Sequence, residues 1–241
     1  MGFVVNKRRL MNTGPAPSTT LIPYSDPTKI VTYLVPSNFN GSSSTTWGND
    51  YPNPMTKTLG YWDVTSDGKS VRLYNRVGLS LSTRVTMGSD LANFTVYMVV
   101  RYGGDTVEDI RGLDVYNSSN QRVTVFRSIS SAFSKEIGSV FNTWESGNAN
   151  YFNTNTTPYD AFQAYSISYP NRARPAHILN DMNLKYFPGD GSGRARRFQF
   201  DRDSTKYAEI YIKLLAIVSE ADSDTVMQNN INYIRNQLNL T

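Results

Sequence analysis

Residues of a kind that could do chemistry are few in this chain, and most lie in turns. The long polar stretch Ser37-Asn-Phe-Asn-Gly-Ser-Ser-Ser-Thr-Thr-Trp-Gly-Asn-Asp-Tyr-Pro-Asn-Pro54 holds Trp47 and Tyr51 beside Asn49 and Asp50. Aromatic faces offer stacking area, and amides and carboxylates take hydroxyl hydrogen bonds, which is the pairing that sugar-binding loops use. A loop of this length without structure of its own is functional or disordered. Trp47, Asn49, Asp50 and Tyr51 are therefore the candidate glycan contacts. For Trp47 a plainer role is preferred, because a lone Trp commonly pins a loop to the body beneath it.

Acid–base chemistry finds little support. Glu108 and Asp109 are adjacent, so on a strand they would point to opposite faces, and a working carboxylate pair would have to come from distant segments. His177 is the one histidine, in Arg174-Pro-Ala-His-Ile-Leu179, with no Gly-x-Ser-x-Gly elbow elsewhere, and reads as a packed side chain. Zinc needs several His or Cys, and the chain has no Cys. Gly189-Asp-Gly-Ser-Gly193 is glycine-rich but lacks the strand-to-helix context of a phosphate loop. Asp201-Arg-Asp203 puts two carboxylates on one side of a strand end, with Asp190 in a nearby loop. Calcium takes about six or more oxygens, so turn-forming aspartates are the preferred reading. The expectation is a protein with no catalytic residue, no metal and no cofactor.

The elements that must position these residues are mostly strands. A chain of 241 residues, 39% hydrophobic and 18% charged, rich in Ser, Thr, Asn, Gly and Tyr, suits short strands joined by polar turns. Ile30–Val35, Leu59–Val64, Val71–Arg76, Leu79–Thr83, Phe94–Arg101, Arg111–Tyr116, Gln121–Phe126, Gly138–Trp144, Ala161–Tyr169, Leu184–Phe187, Arg197–Asp201 and the segment from Tyr207 all read as strands. Asp67-Gly68 predicts one hairpin and Asn117-Ser-Ser-Asn120 another. Phe94–Arg101 is the most strongly β segment of the middle and is expected at the centre of a sheet.

The N-terminal residues read differently. Residues 1–29 hold the apolar triplet Phe3-Val4-Val5, the cations Lys7, Arg8 and Arg9, and a Pro/Thr/Ser linker. They predict an anchoring arm able to add an edge strand to a neighbouring subunit, with a frayed terminus as the alternative. The sandwich proper is expected over 30–241. The basic residues follow the apolar ones, the reverse of a secretory signal, and Asn6 stands where a myristoylation signal wants Ser or Thr. A soluble, unprocessed chain is expected, with no membrane partner. The formal charge is +4. Lys7-Arg-Arg9 and Arg194-Ala-Arg-Arg197 lie at opposite ends, so no single basic stripe marks a nucleic-acid partner.

The C-terminal third organises the rest. Ile210, Ile212 and Leu214 alternate with Glu209, Tyr211 and Lys213, the period-2 mark of a half-buried strand, and from Leu214 to Val218 both faces are apolar. Met227, Ile231, Ile234 and Leu238 then form one helical stripe, capped by Ser219 or Ser223, with Asp222 and Asp224 near the positive end. The order Ala208-Glu209-Ile210-x-Ile212, Ser219-x-x-Asp222, Ile231-x-Tyr233-Ile234 resembles the ending of concanavalin A-like, laminin G-type jelly rolls, which are frequent in bacteriophage virion proteins. That family usually has Glu where Asp222 stands and Tyr-Leu where this chain has Tyr233-Ile234.

The resemblance implies an all-β, two-sheet antiparallel jelly-roll (concanavalin A-like) sandwich with one C-terminal α-helix. It also implies a structural virion protein of a tailed phage, a capsid-auxiliary or tail component assembled in the host cytoplasm. The arm would anchor it, in multiple copies or as a homo-oligomer beside other virion proteins, and the displayed sandwich would contact a host glycan. A free carbohydrate-binding lectin and a glycan-cleaving enzyme are the alternatives. Glucanases on this sandwich use a strand bearing Glu-x-Asp-x-Glu, and no such run occurs here.

Overall fold

Alternation of apolar and polar residues becomes, among the described residues, sixteen strands and one α-helix in a computed structural model of the protein. The structure describes residues 20–103, 110–120, 122–131, 134–142, 149–151, 162–169, 176–180, 183–187, 194–202, 207 and 209–240. In chain order the strands are β1 (Ile30–Leu34), β2 (Thr46–Trp47), β3 (Met55–Leu59), β4 (Tyr61–Val64), β5 (Val71–Tyr74), β6 (Leu81–Leu91), β7 (Phe94–Gly103) and β8 (Ile110–Tyr116). They continue with β9 (Arg122–Ser131), β10 (Ser134–Asn142), β11 (Ala149–Tyr151), β12 (Gln163–Tyr169), β13 (Ala176–Asn180), β14 (Asn183–Phe187), β15 (Ala195–Arg202) and β16 (Glu209–Val218). Helix α1 spans Asp224–Leu238.

Two antiparallel sheets result. The first runs β14-β13-β12-β7-β16-β5-β4, and the second β11-β10-β9-β8-β15-β6-β3-β2. On the edge of β16 away from β7, β5 pairs with Glu209–Ile212 and β1 with Leu215–Val218, so two short strands share one side of the longest apolar strand. The expected hairpins form at β4–β5 and β8–β9, and β7 is central as its β-branched and aromatic composition predicts.

Two apolar layers hold the first sheet, one on each face. Phe94, Val96, Met98 and Val100 of β7 face the second sheet, where they meet Leu81, Val85, Leu113, Phe198 and Phe200. Tyr97 and Val99 face the other way, under Met227, Ile231 and Ile234 of α1. Each fully buried aliphatic or aromatic side chain contributes roughly 1.5–3 kcal/mol. The helix is fixed at its start by Ser223, whose Oγ accepts from the Val226 N–H at 3.4 Å, and ends on Asn239 in the left-handed region at φ +50°. Ser219 is not the cap: its N–H and hydroxyl donate to the Lys29 carbonyl, closing β16 against β1.

The structure departs from the sequence expectation at four places. Ile210 and Ile212 face the inter-sheet core, but Leu214 does not join them: it packs with Ala216 and Val218 under α1, while Leu215 and Ile217 take the inner face. The β16–β7 register shifts between Ile212 and Leu214, and this bulge at Lys213 inverts the alternation. The 37–54 stretch is not structureless, since Thr46–Trp47 pairs with β3, itself unforeseen. Residues 176–180 pair as a strand between β12 and β14, placing His177 opposite Ser168 and Tyr186. The packed body also begins before residue 30: Ile22 is fully buried and Ser25 nearly so, because both lie under α1 and β1. Phe3, Val4, Val5, Lys7, Arg8 and Arg9 lie outside the described residues.

Candidate functional site

A groove of about 950 Å³ opens where the C-terminal end of α1 meets the first sheet. Chain segments far apart in sequence wall it: Leu21 and Tyr33 on one side, Asp50 and Tyr51 from the loop after β2, Lys69 from the β4–β5 turn, Lys213 from β16, and Gln237 to Asn239 from the helix end. The sequence candidates Asp50 and Tyr51 are thus brought together with residues up to 189 positions away (239 minus 50). Asn49 is exposed on the same turn without lining the groove.

Trp47 is a correction to the candidate list. Its ring is fully buried, and its Nε1 donates to Asn38 Oδ1 at 2.9 Å and to the Val35 carbonyl at 3.2 Å. Phe39 and Trp62 meet it edge-on at 5.6 and 6.4 Å between ring centroids. No face is left for a ligand, and the preferred role as a pin is what the packing shows. The next residue explains the turn that follows: Gly48 has φ +80°, and a Cβ there would lie 2.3 Å from Leu34 Cδ2. Asn53 then rejoins β1, its N–H donating to the Val31 carbonyl at 3.0 Å while its own carbonyl accepts from Thr32 Oγ1 at 2.8 Å. Asp50 and Tyr51 are therefore carried on a loop tied down at both ends.

Within the groove, Tyr51 leans on Tyr33 with ring centroids 5.4 Å apart and a 40° tilt. The Tyr33 hydroxyl accepts the Leu21 N–H at 2.8 Å and is pushed up to about 12 by burial. Burial also raises the Tyr51 phenol, so both remain protonated at neutral pH. Lys213 points into the groove from the bulge, and burial lowers its ammonium from the ordinary lysine value. Sequence reasoning missed Lys69 and Lys213. The one available signal was a lysine interrupting an otherwise apolar strand.

Past the groove, the outer face of the first sheet around β4, β5 and the start of β16 bears a polar lattice. Arg72 donates to both oxygens of Asp63, at 3.0 and 2.7 Å, and to Glu209 Oε1 at 3.2 Å. Glu209 also accepts from the hydroxyls of Tyr207 and Tyr211. Register dictates this: Tyr211 lies opposite Arg72 on one neighbour and Arg101 on the other. Both carboxylates are held, and Asp63 and Glu209 face Arg72 rather than each other.

A buried junction holds the groove's walls together. Asn230 of α1 donates to Ser25 Oγ at 2.9 Å and to the Tyr97 hydroxyl at 3.0 Å, and its Oδ1 accepts the Tyr24 N–H at 3.0 Å. Ser25 and Tyr97 each pass their own hydrogen to Asp222 Oδ2 at 2.6 Å. Every donor in the ring has an acceptor, so the segment at 21–25, β7 and α1 are fixed mutually. Asp222, read from sequence as a helix-end charge, instead sits buried, and that burial raises its carboxyl above the ordinary value.

The remaining sequence candidates are placed as follows. Asp201 accepts from Gln199 Nε2 at 2.9 Å, and Asp203, Asp190, Glu108 and Asp109 lie outside the described residues. Among the described residues there is no group of three or more His, Cys, Asp or Glu placed to hold a metal. Arg196 pairs loosely with Asp90 at 3.9 Å, and Arg197 stacks on Tyr116 and donates to Asn120 Oδ1. No helix among the described residues is long and apolar enough to cross a membrane.

No family model matches the sequence, and no curated protein matches it. Solved structures do share the fold. Botulinum neurotoxin type C, described as interacting with two ganglioside molecules, aligns with a TM-score of 0.63 at 10% identity over 86% of this chain and 51% of its own. The binding domain of botulinum neurotoxin DC in complex with SialylT gives 0.63 at 12% identity over 86% of this chain and 52% of its own. The chain spans about half the length of these neighbours, and their named ligands belong to the whole of them. At this identity the likeness is one of fold: the two-sheet antiparallel jelly-roll sandwich expected from the sequence.

Proposed function

We propose that this chain is a non-enzymatic saccharide-binding module whose site is the groove at the end of α1. The observation behind this is Tyr51, half-buried on the groove wall beside the hydrogen-bonding side chains Asp50, Gln237 and Asn239. An aromatic body flanked by a few convergent polar groups is the usual make-up of a small-ligand cleft. The ganglioside and sialylated ligands of its structural neighbours add support at the level of ligand class. A glycan array probed with the purified protein tests it. Retention of at least one sugar, lost by about tenfold or more on Tyr51→Ala with an unchanged Tm, is the expected result. A folded protein that retains no sugar refutes the proposal.

The finer reading is display on a tailed-phage particle, anchored through the N-terminal arm. It rests on the resemblance of Ala208 to Ile234 to virion jelly rolls and on the apolar and cationic residues Phe3, Val4, Val5, Lys7, Arg8 and Arg9. Many displayed copies would make weak single contacts sufficient for host attachment. Deleting residues 1–20 should leave a folded chain and abolish incorporation into particles, and normal incorporation of the truncated chain would remove the anchoring role.

A further inference from the structure

Two lysines line the groove, and their surroundings point to the kind of saccharide. Lys213 holds its ammonium 4.3 Å from the centroid of the Phe162 ring. Arg101 approaches the same ring at 5.4 Å and stacks on Tyr211 at 3.9 Å, with a buried Nε that has no hydrogen-bond partner among the described residues. Lys69 lines the groove from the β4–β5 turn. Burial acts against the protonation of Lys213, and the positive charges of Lys69 and Arg101 add to it.

Counter-charge is scarce there. Among the described residues the acid that acts on Lys213 is Asp67, exposed and already accepting from Thr65 Oγ1 at 2.6 Å and the Lys69 N–H at 3.0 Å. Arg72, by contrast, is matched by Asp63 and Glu209 and is not available. A cationic cluster in a half-sheltered site, whose one acting carboxylate among the described residues is exposed and already engaged, gains from an added anion, because burial strengthens the attraction relative to open water. The β16 bulge lets Lys213 lie beside the helix-covered part of the sheet. Without it, Lys213 and Leu214 could not both lie on the outer face, one in the groove and one under α1.

We propose that Lys213 and Lys69 bind the carboxylate of an acidic sugar in the groove as its direct contacts, with Arg101 reinforcing the local field, while Tyr51 takes the ring of an adjacent unit. This rests on the saccharide reading of the groove. The test is calorimetric titration of the whole chain with a uronate- or sialate-bearing oligosaccharide, its carboxyl-reduced neutral counterpart, and inorganic sulfate. Preference for the acidic oligosaccharide over the neutral one by about tenfold or more is expected, equivalent to one charge-assisted contact. Lys213→Gln should abolish that preference with Tm unchanged, and Lys69→Gln should reduce it. Weak binding of sulfate alone, competitive with the acidic sugar, supports the site. Equal affinity for acidic and neutral forms, or a preference untouched by Lys213→Gln, overturns the inference and leaves the saccharide reading standing. No binding of any oligosaccharide by the folded chain removes both.

Discussion

Replacing Tyr97 by Phe deletes one oxygen and nothing else, at the centre of the junction that holds the groove's walls. The hydroxyl donates to the buried Asp222 carboxyl at 2.6 Å and accepts from Asn230 Nδ2 at 3.0 Å. A hydrogen bond to a charged acceptor is worth roughly 1.5–3 kcal/mol, and a buried donor left without a partner costs about 1–3 kcal/mol more. The ring itself stays, so no cavity term is added. The two losses share one network and overlap, which gives an expected destabilisation of about 3 kcal/mol. With a urea m-value of about 3 kcal/mol/M for a chain of this size, the denaturation midpoint should fall by about 1 M.

Local consequences should accompany the global one. The Tyr24 amide donates to Asn230 Oδ1, so its hydrogen exchange should accelerate ahead of amides in β7. A midpoint shift under about 0.3 M, or unchanged protection at Tyr24, would refute the claim that this ring of hydrogen bonds fixes the segment at 21–25 to α1.

Further outcomes follow from neighbouring features. The Asp222 carboxyl is raised in the folded state, chiefly by burial, with Asp26 adding to the rise and the Ser25 and Tyr97 hydroxyls opposing it. Protonation therefore favours the native state: the contribution is complete below the unfolded value of 3.8 and is lost as pH rises through the raised folded value. Wild type should lose stability relative to Asp222→Asn across that window in denaturation curves taken from about pH 3.5 upward, and a flat difference would exclude it. Trp47→Ala should cost about 3–5 kcal/mol by emptying a fully buried site, while Tyr51→Ala should cost far less, as differential denaturation would show. Gly48→Ala must place a side chain at φ +80° against Leu34, for about 2–4 kcal/mol by the same measurement and weakened saccharide binding. Gly68→Ala, at φ +69° with nothing within 4 Å, should cost only about 1 kcal/mol.

Much of the architecture was legible in local pattern. Alternation marked most strands, Asp67-Gly68 marked a hairpin that forms, and the stripe of Met227, Ile231 and Ile234 marked the face of α1 that is buried. Strands β2, β3, β11 and β13 escaped notice because they are short or polar and owe their pairing to neighbours rather than to propensity. The pairing of Tyr51 with polar side chains was visible as loop composition, whereas the burial of Trp47 was not, since a Trp in a polar loop looks the same whether it points in or out.

By itself, the sequence determined a cysteine-free antiparallel β-sandwich with one closing helix and a long loop of aromatic and polar side chains, because side-chain period and turn chemistry are local properties. Tertiary structure alone decided where the site lies. One extra residue at Lys213 inverts a strand's alternation, and a groove is a meeting of segments from residue 21 to residue 239. A register shift is set by the partner strand, and convergence is set by packing, so neither leaves a mark at any single position of the chain.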